Sequence, residues 1–242
     1  MQIHHKCFDR IPKLWRLLIF KNIFALEKLN VPREELVVVS GIGCSGRTAG
    51  YFNVDSVHST HGRAIAVAEG IKLANPKLKV IVFSGDGDLV GIGGNHFLHA
   101  ARRNADLTVI CINNAIYGMT GGQMAPTTPL GAKTLTSPFG AHAAPINIQG
   151  IVASNARHFY ARGSAYQINH LQKIMREAIE WPGFAFIDAM SFCIENFGRR
   201  LGFKNGYEML FKLKADFRLN LNPTGLLKDN ELGVVKNAGP ES

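Results

Sequence analysis

The sequence predicts an α/β protein built on a doubly wound parallel sheet, and three observations carry that expectation. Predominantly apolar runs at 36–39, 78–83 and 107–112, the first without any polar residue, read as strands buried on both faces. Between them lie stretches with apolar residues at helical spacing. A carboxylate, Asp86, sits in a glycine turn after the second run, and an amide, Asn114, ends the third, 28 positions later. That interval holds a turn, a helix and a return strand. A right-handed crossover then brings both side chains to the same edge of the sheet.

The elements follow in order. Leu14, Leu17, Leu18, Ile23, Leu26 and Leu29 mark an N-terminal helical segment over 1–30, which Pro32 interrupts. Leu36-Val37-Val38-Val39 feeds a glycine-rich turn at 41–46. Residues 51–60 are polar and irregular. From Gly62, the positions Ala64, Ile65, Ala68, Ile71 and Leu73 give a helix that Asn75-Pro76 stops. A strand at 78–83, a helix at 91–104 and a strand at 107–112 come next. Residues 117–145 are rich in Gly, Pro and Thr without a period, and loops of that length in compact domains commonly act as lids or binding segments. A helix at 146–156, a short strand at 158–161, a helix at 168–180, a strand at 184–189 and a helix at 205–214 complete the alternation. Residues 215–242, polar and broken by Pro and Gly, read as a loosely held tail. The domain proper is expected over 31–214.

Composition bounds the function classes. The 242 residues are 46% hydrophobic and 19% charged, which is globular rather than disordered. No apolar run is long enough to cross a bilayer, so no membrane role is expected. The stretch 14–29 carries Arg16, Lys21, Glu27 and Lys28 and lacks a small-residue cleavage site, so a cytoplasmic protein is the default. The net charge of +9 favours anionic ligands or an acidic partner. The basic residues are scattered and accompany no nucleic-acid recognition motif, so no nucleic acid is expected. Four cysteines, at 7, 44, 111 and 193, make no secreted disulfide pattern.

Oxygen atoms from Asp86 and Asn114, with a backbone carbonyl, suit a hard octahedral cation such as Mg²⁺ that bridges to phosphate oxygens. The surrounding glycines let backbone approach those phosphates. Gly85-Asp86-Gly87 followed after this interval by Asn113-Asn114 resembles the signature of thiamine diphosphate enzymes. Gly41-Ile42-Gly43-Cys44-Ser45-Gly46-Arg47, His61-Gly62-Arg63, Gly85-Asp86-Gly87-Asp88 and Thr120-Gly121-Gly122-Gln123 together resemble the beta subunit of 2-oxoacid:ferredoxin oxidoreductases. The 2-oxoglutarate type (2-oxoglutarate synthase) is most similar, and the likeness runs from about Phe20 to about Lys214.

The resemblance implies a thiamine diphosphate-binding, pyrophosphate-domain fold. It implies Mg²⁺ held by Asp86, Asn114 and the carbonyl of Ile116. Gly87, Asp88, Gly118 and Met119 would lie against the diphosphate or its metal, with residues 120–123 closing over it. Ile42, Gly43, Cys44 and Ser45, and the segment His61, Gly62 and Arg63, would contact the cofactor. Four thiolates hold a [4Fe–4S] cluster in the family, and Cys44 and Cys193 match two of them. The family's N-terminal Cys-x-x-Cys is absent here, where the chain has Arg10 and Lys13, and Cys7 is the nearest thiol. Cys111 reads as a core residue.

The implied reaction converts 2-oxoglutarate, coenzyme A and oxidised ferredoxin to succinyl-CoA, CO₂ and reduced ferredoxin, or the reverse. The glutamate that activates the aminopyrimidine belongs to the family's alpha subunit, so such a partner is expected. Arg47 and Lys133 are candidates for a substrate carboxylate, with solvated loop charge the equal alternative. Pyruvate or a branched-chain 2-oxoacid remains an alternative substrate. A cofactor-binding paralogue without electron transfer and a non-enzymatic basic binding protein are alternative functions.

Overall fold

A computed structural model describes residues 31–239, so the expected N-terminal helical segment and Cys7 lie outside the described residues. The strands are β1 Leu36–Ser40, β2 Asp55–His58, β3 Lys79–Gly85, β4 Thr108–Asn113, β5 Ile116–Tyr117, β6 Gln123–Met124, β7 His158–Ser164, β8 Ala185–Met190, β9 Arg218–Leu219 and β10 Glu231–Asn237. The α-helices are α1 Ala64–Ala74, α2 Gly94–Arg103, α3 Ile148–Val152, α4 Ile168–Glu180 and α5 Gly206–Asp216. The main sheet has eight strands in the order β2-β1-β3-β4-β8-β7-β10-β9, and β5 pairs with β6 separately.

Strand sequence explains the sheet. Every residue of β1 and β4 is buried, as an all-apolar strand covered on both faces requires. Alternate side chains serve two cores. Val38, Ile81, Phe83, Ile110 and Ile187 pack with Leu171, Ile174 and Ala178 of α4 and Met209 and Leu213 of α5. Val39, Val82, Val109 and Phe186 pack on the other face with Ile65 and Ala68 of α1, Phe97 and Ala100 of α2 and Val152 of α3. Helices on both faces of a largely parallel sheet are the expected doubly wound architecture.

Two segments depart from expectation. Residues 51–60 contain β2, which pairs in parallel with β1 at the sheet edge although all four of its side chains are exposed. It is held by backbone pairing and by the hydrogen bond between the Ser40 hydroxyl and His58 Nδ1 at 3.0 Å, so no apolar alternation signals it. The expected loose tail is replaced over 218–237 by β9 and β10: Glu231 and Leu232 of β10 pair in parallel with β9, and Gly233 to Asn237 pair antiparallel with β7. The reason is polar as well as apolar. The Arg162 guanidinium donates to the carbonyls of Lys228, Asp229 and Glu231, and the Glu231 carboxylate accepts from Arg218, Asn220 and the Lys228 amide. Leu232 is fully buried. Smaller differences are that the 146–156 helix shortens to Ile148–Val152 and the 158–161 strand extends to Ser164.

Burial of Leu232 makes the closing strand part of the cooperative unit. Leu232→Ala should lower unfolding free energy by about 2–5 kcal/mol, read from the urea midpoint; a change below about 0.5 kcal/mol would mean that β10 does not contribute to the core.

Candidate active site

The chain passes from β1 outward to β2 and then back across to β3, so the strand order reverses between β1 and β3. In open α/β sheets, a crevice forms at the carboxyl ends of the strands at such a point. Here the loops after β1, β3 and β4 meet there and line one cleft. Its walls include Ile42, Gly43, Cys44, Ser45, His61, Gly87, Asp88, Gly118 and Met119, together with Asp86, Asn114 and Ile116. Twelve residues singled out from sequence therefore share one cavity. Gly62 and Arg63 do not line it: Gly62 turns the chain at φ 71° and Arg63 is the exposed residue that begins α1.

Asp86 ends the turn after β3 and is 1% exposed. Its Oδ2 accepts from the Thr127 hydroxyl, and its Oδ1 accepts from the Asn114 backbone N–H at 3.4 Å. Among the described residues no basic side chain pairs with it. Burial therefore pushes its pKa up to about 6, with the Thr127 and Asn114 donors pulling the other way. A buried carboxylate with spare lone pairs and no cation beside it is a fitting ligand for a hard divalent ion.

The opposite wall is a backbone turn with an unusual conformation. Ala115 has φ 60°, a left-handed geometry that a residue with a Cβ adopts only under constraint. Two side chains supply it: Asn113 Oδ1 accepts from the Ala115 N–H at 3.2 Å, and Asn114 Oδ1 accepts from the Ile116 N–H at 3.2 Å. The Asn113-Asn114 pair is thus split in role. Asn114 reaches the cleft, while Asn113 faces the sheet, where its Nδ2 donates to Asp188.

Asp88 lines the cleft, yet its carboxylate is turned to the protein. It accepts from the Gly62 N–H at 2.8 Å, the Ile42 N–H at 3.4 Å and the Ser84 hydroxyl at 2.6 Å, and the Nδ1 edge of His61 lies against it. One carboxylate therefore ties three loops together. Gly41 is what lets it approach, because a Cβ there would meet Asp88 Oδ2 at 1.9 Å. Asp88 thus sits in the cleft wall as expected of a cofactor-contact residue, and its carboxylate also clamps His61 and the turn at 41–46 there.

Sequence reasoning missed one cleft residue, Tyr117, and one residue that supports the cleft, Thr127. Tyr117 packs its ring on Gly87 and donates from its hydroxyl to the Gly87 carbonyl at 2.9 Å. Thr127 comes from the long loop to cap Asp86. The signal for Tyr117 was its place between Ile116 and Gly118; nothing in the pattern of the loop distinguishes Thr127. Residues 118–123 fold back as expected: Thr120 lines the cleft, and Asn196 donates to the Gly118 carbonyl at 2.6 Å.

The two thiols matched to the cluster are neighbours. Burial raises the Cys44 pKa, and the nearby Cys193 raises it further while Arg47 opposes. Cys193 packs beside Gly118. Cys111 is sealed in β4, as expected of a core residue. Among the described residues no group of three or more candidate ligands gathers at these thiols, so the residues described do not make a four-thiolate set.

Residues 41–189 match the family described as "Thiamine pyrophosphate enzyme, C-terminal TPP binding domain". The 2-oxoglutarate synthase subunit KorB of Archaeoglobus fulgidus is 43% identical over 234 residues, spanning 94% of this chain and 86% of that protein. Its counterpart from Methanocaldococcus jannaschii is 45% identical over 88% of this chain and 80% of its own length. The chain belongs to the beta-subunit family of 2-oxoacid:ferredoxin oxidoreductases. A 2-oxoglutarate:ferredoxin oxidoreductase from Magnetococcus marinus, solved with 2-oxoglutarate, coenzyme A and succinyl-CoA bound, superposes with a TM-score of 0.80 at 27% identity, covering 93% of this chain and 79% of that one. The thiamine diphosphate-binding fold expected of this beta subunit is therefore present, with oxidoreductase chemistry as its activity. Among the described residues no helix is long and apolar enough to cross a membrane.

The raised pKa of Asp86 has a consequence for the metal-free beta subunit. Its folded pKa lies above the ordinary carboxylate value of about 4, so the folded state binds the extra proton. The contribution of Asp86 to stability is then fully present below pH about 4, and about 3 kcal/mol of it is lost as pH rises through about 6 towards neutrality. Asp86→Asn should flatten that slope and raise the metal-free melting temperature at pH 7.5. An unchanged pH dependence would show that Asp86 is not a buried, uncompensated charge.

Proposed function

We propose that this beta subunit holds Mg²⁺ and thiamine diphosphate in the β1–β3–β4 cleft and, with a larger alpha subunit, converts 2-oxoglutarate and coenzyme A to succinyl-CoA and CO₂. Electrons pass to ferredoxin, and the reaction runs in reverse where reductant is abundant. The convergence of Asp86 and Asn114 on one cavity carries the reading. Asp86, Asn114 and the Ile116 carbonyl would hold the cation, and the glycine turns at 85–87 and 41–46 leave room for the diphosphate. Bound thiamine diphosphate supplies the electron sink for decarboxylating a 2-oxoacid.

The chain's own residues bind and orient. Thr127 and the Asn114 amide fix the rotamer of Asp86, so the ligand geometry exists before the cation arrives. Tyr117 braces the Gly87 carbonyl against the turn. Asp88 holds the His61 ring at the cleft wall. No step is drawn through an iron–sulfur cluster, because the described residues offer two adjacent thiols, not four.

A partner is needed for the chemistry. Of the residues lining the cleft, only Asp86 and Asp88 are acidic, and both are engaged as described. The resemblance assigns the acid that activates the aminopyrimidine to the alpha subunit, and the lack of a free carboxylate among the described lining residues supports that assignment. Met119 at the cleft, and Leu130, Leu135 and Phe139 of the same loop, are exposed, which fits a covering subunit. The names of the relatives and the ligands of the Magnetococcus marinus enzyme support 2-oxoglutarate over pyruvate.

Co-purification with the alpha subunit should give 2-oxoglutarate-dependent, coenzyme A-dependent reduction of viologen dye. Pyruvate should support a rate at least about tenfold lower, corresponding to about 1.4 kcal/mol of discrimination. A stoichiometric complex that reduces no viologen with any 2-oxoacid would reject the reading.

A further inference from the structure

We propose that Asp188 is a positioning residue for the metal-binding turn, acting through the carboxamide of Asn113; this rests on the cofactor reading above. Asp188 lies on β8, is 3% exposed, and faces Cys111 of β4 across the sheet. It has no place in the cleft. Its Oδ1 accepts from Asn113 Nδ2 at 2.9 Å. Its Oδ2 accepts from the Tyr160 hydroxyl at 3.1 Å and pairs with Arg162 Nε at 3.5 Å.

The polarity of this chain of contacts is what matters. An ionised carboxylate only accepts, so the Asn113 group facing it must be the NH₂. That leaves Asn113 Oδ1 pointing at the backbone, where it accepts from the Ala115 N–H. The same contact holds Ala115 in its left-handed conformation, one residue before Ile116 and one after Asn114. Asp188 therefore decides which end of the Asn113 carboxamide meets the turn, and so whether the strained turn is held. Arg162 decides where Asp188 sits. Its guanidinium is anchored by the carbonyls of Lys228, Asp229 and Glu231, so the C-terminal strand buttresses the turn through three side chains.

Asp188→Asn tests this without changing shape. Arg162 takes the one remaining acceptor oxygen, so an NH₂ now faces the Asn113 NH₂. The Asn113 carboxamide turns over, and its donor end meets the Ala115 N–H. In the ligand-free full chain, amide hydrogen exchange at Ala115 should quicken at least about tenfold, and Mg²⁺-dependent thiamine diphosphate affinity, read by calorimetry, should fall about 10–100-fold. Ala115→Gly in the same background should recover part of that affinity, since glycine adopts positive φ without help. Leu107→Ala, buried at the far end of β4, serves as a destabilised control and should melt earlier with its affinity intact.

Wild-type exchange at Ala115 in Asp188→Asn, or wild-type affinity, would overturn the proposal. So would a loss of affinity that Leu107→Ala reproduces, or one that Ala115→Gly fails to relieve. Should Asp188→Asn not fold, Asn113→Ala removes the acceptor for the Ala115 N–H and leaves the Asp188–Arg162 pair in place. The same faster exchange at Ala115 is expected, and unchanged exchange overturns the proposal. Failure of the unsubstituted chain to bind the cofactor would count against the cofactor reading, whereas exchange at Ala115, measured without ligand, judges the positioning role separately.

Discussion

One buried negative charge without a positive neighbour governs this molecule. Water is excluded from Asp86, and only a hydroxyl and a backbone amide face it. Such a group costs stability at neutral pH until a cation neutralises it. The surrounding structure tolerates that cost because the sheet beneath it is dry and densely packed on both faces. Strain gathers at the same place, in the left-handed Ala115 between the cleft-lining Asn114 and Ile116. A destabilised centre on a rigid floor is how a protein holds ligands ready for an ion rather than relaxing around its absence.

Loops build the cleft, and carboxylates hold the loops. Asp88 gathers amides from two of them and a hydroxyl from the end of β3, so the turn at 41–46 and the segment around His61 are tied to the loop after β3. Backbone donors satisfied by a buried carboxylate are stronger than neutral pairs, and they fix register as well as distance. The absence of a side chain at Gly41 is as much a part of this clamp as Asp88 itself. Exposed apolar residues on the long loop complete the picture of a cleft with one wall left for another subunit.

Much of this was legible in the chain. The central strands announce themselves because a strand covered on both faces is apolar through its middle, and β1, β3 and β4 are, with polar residues only towards their ends. The meeting of Asp86 and Asn114 followed from their spacing and the hand of the crossover. What stayed hidden was held by backbone or by distant polar contacts. The edge strand β2 buries no side chain, and β10 follows a stretch interrupted by Pro223 and Gly225 and depends on Arg162, some sixty residues earlier. The resemblance placed Asp88 against the diphosphate or its metal, but nothing in the sequence showed that its carboxylate also clamps the neighbouring loops. Its three protein donors come from positions that no local pattern connects to it. Thr127 is one threonine among several in an aperiodic loop, and only its fold back over β3 distinguishes it.

The most direct measurement replaces Mg²⁺ with Mn²⁺ and follows the free ion by electron paramagnetic resonance as thiamine diphosphate is added to the full chain. The expected result is one Mn²⁺ taken up per chain only when the diphosphate is present, with uptake lost in Asp86→Ala and Asn114→Ala. Uptake that ignores the diphosphate, or that survives both substitutions, would place the cation elsewhere and contradict the assignment of this cleft.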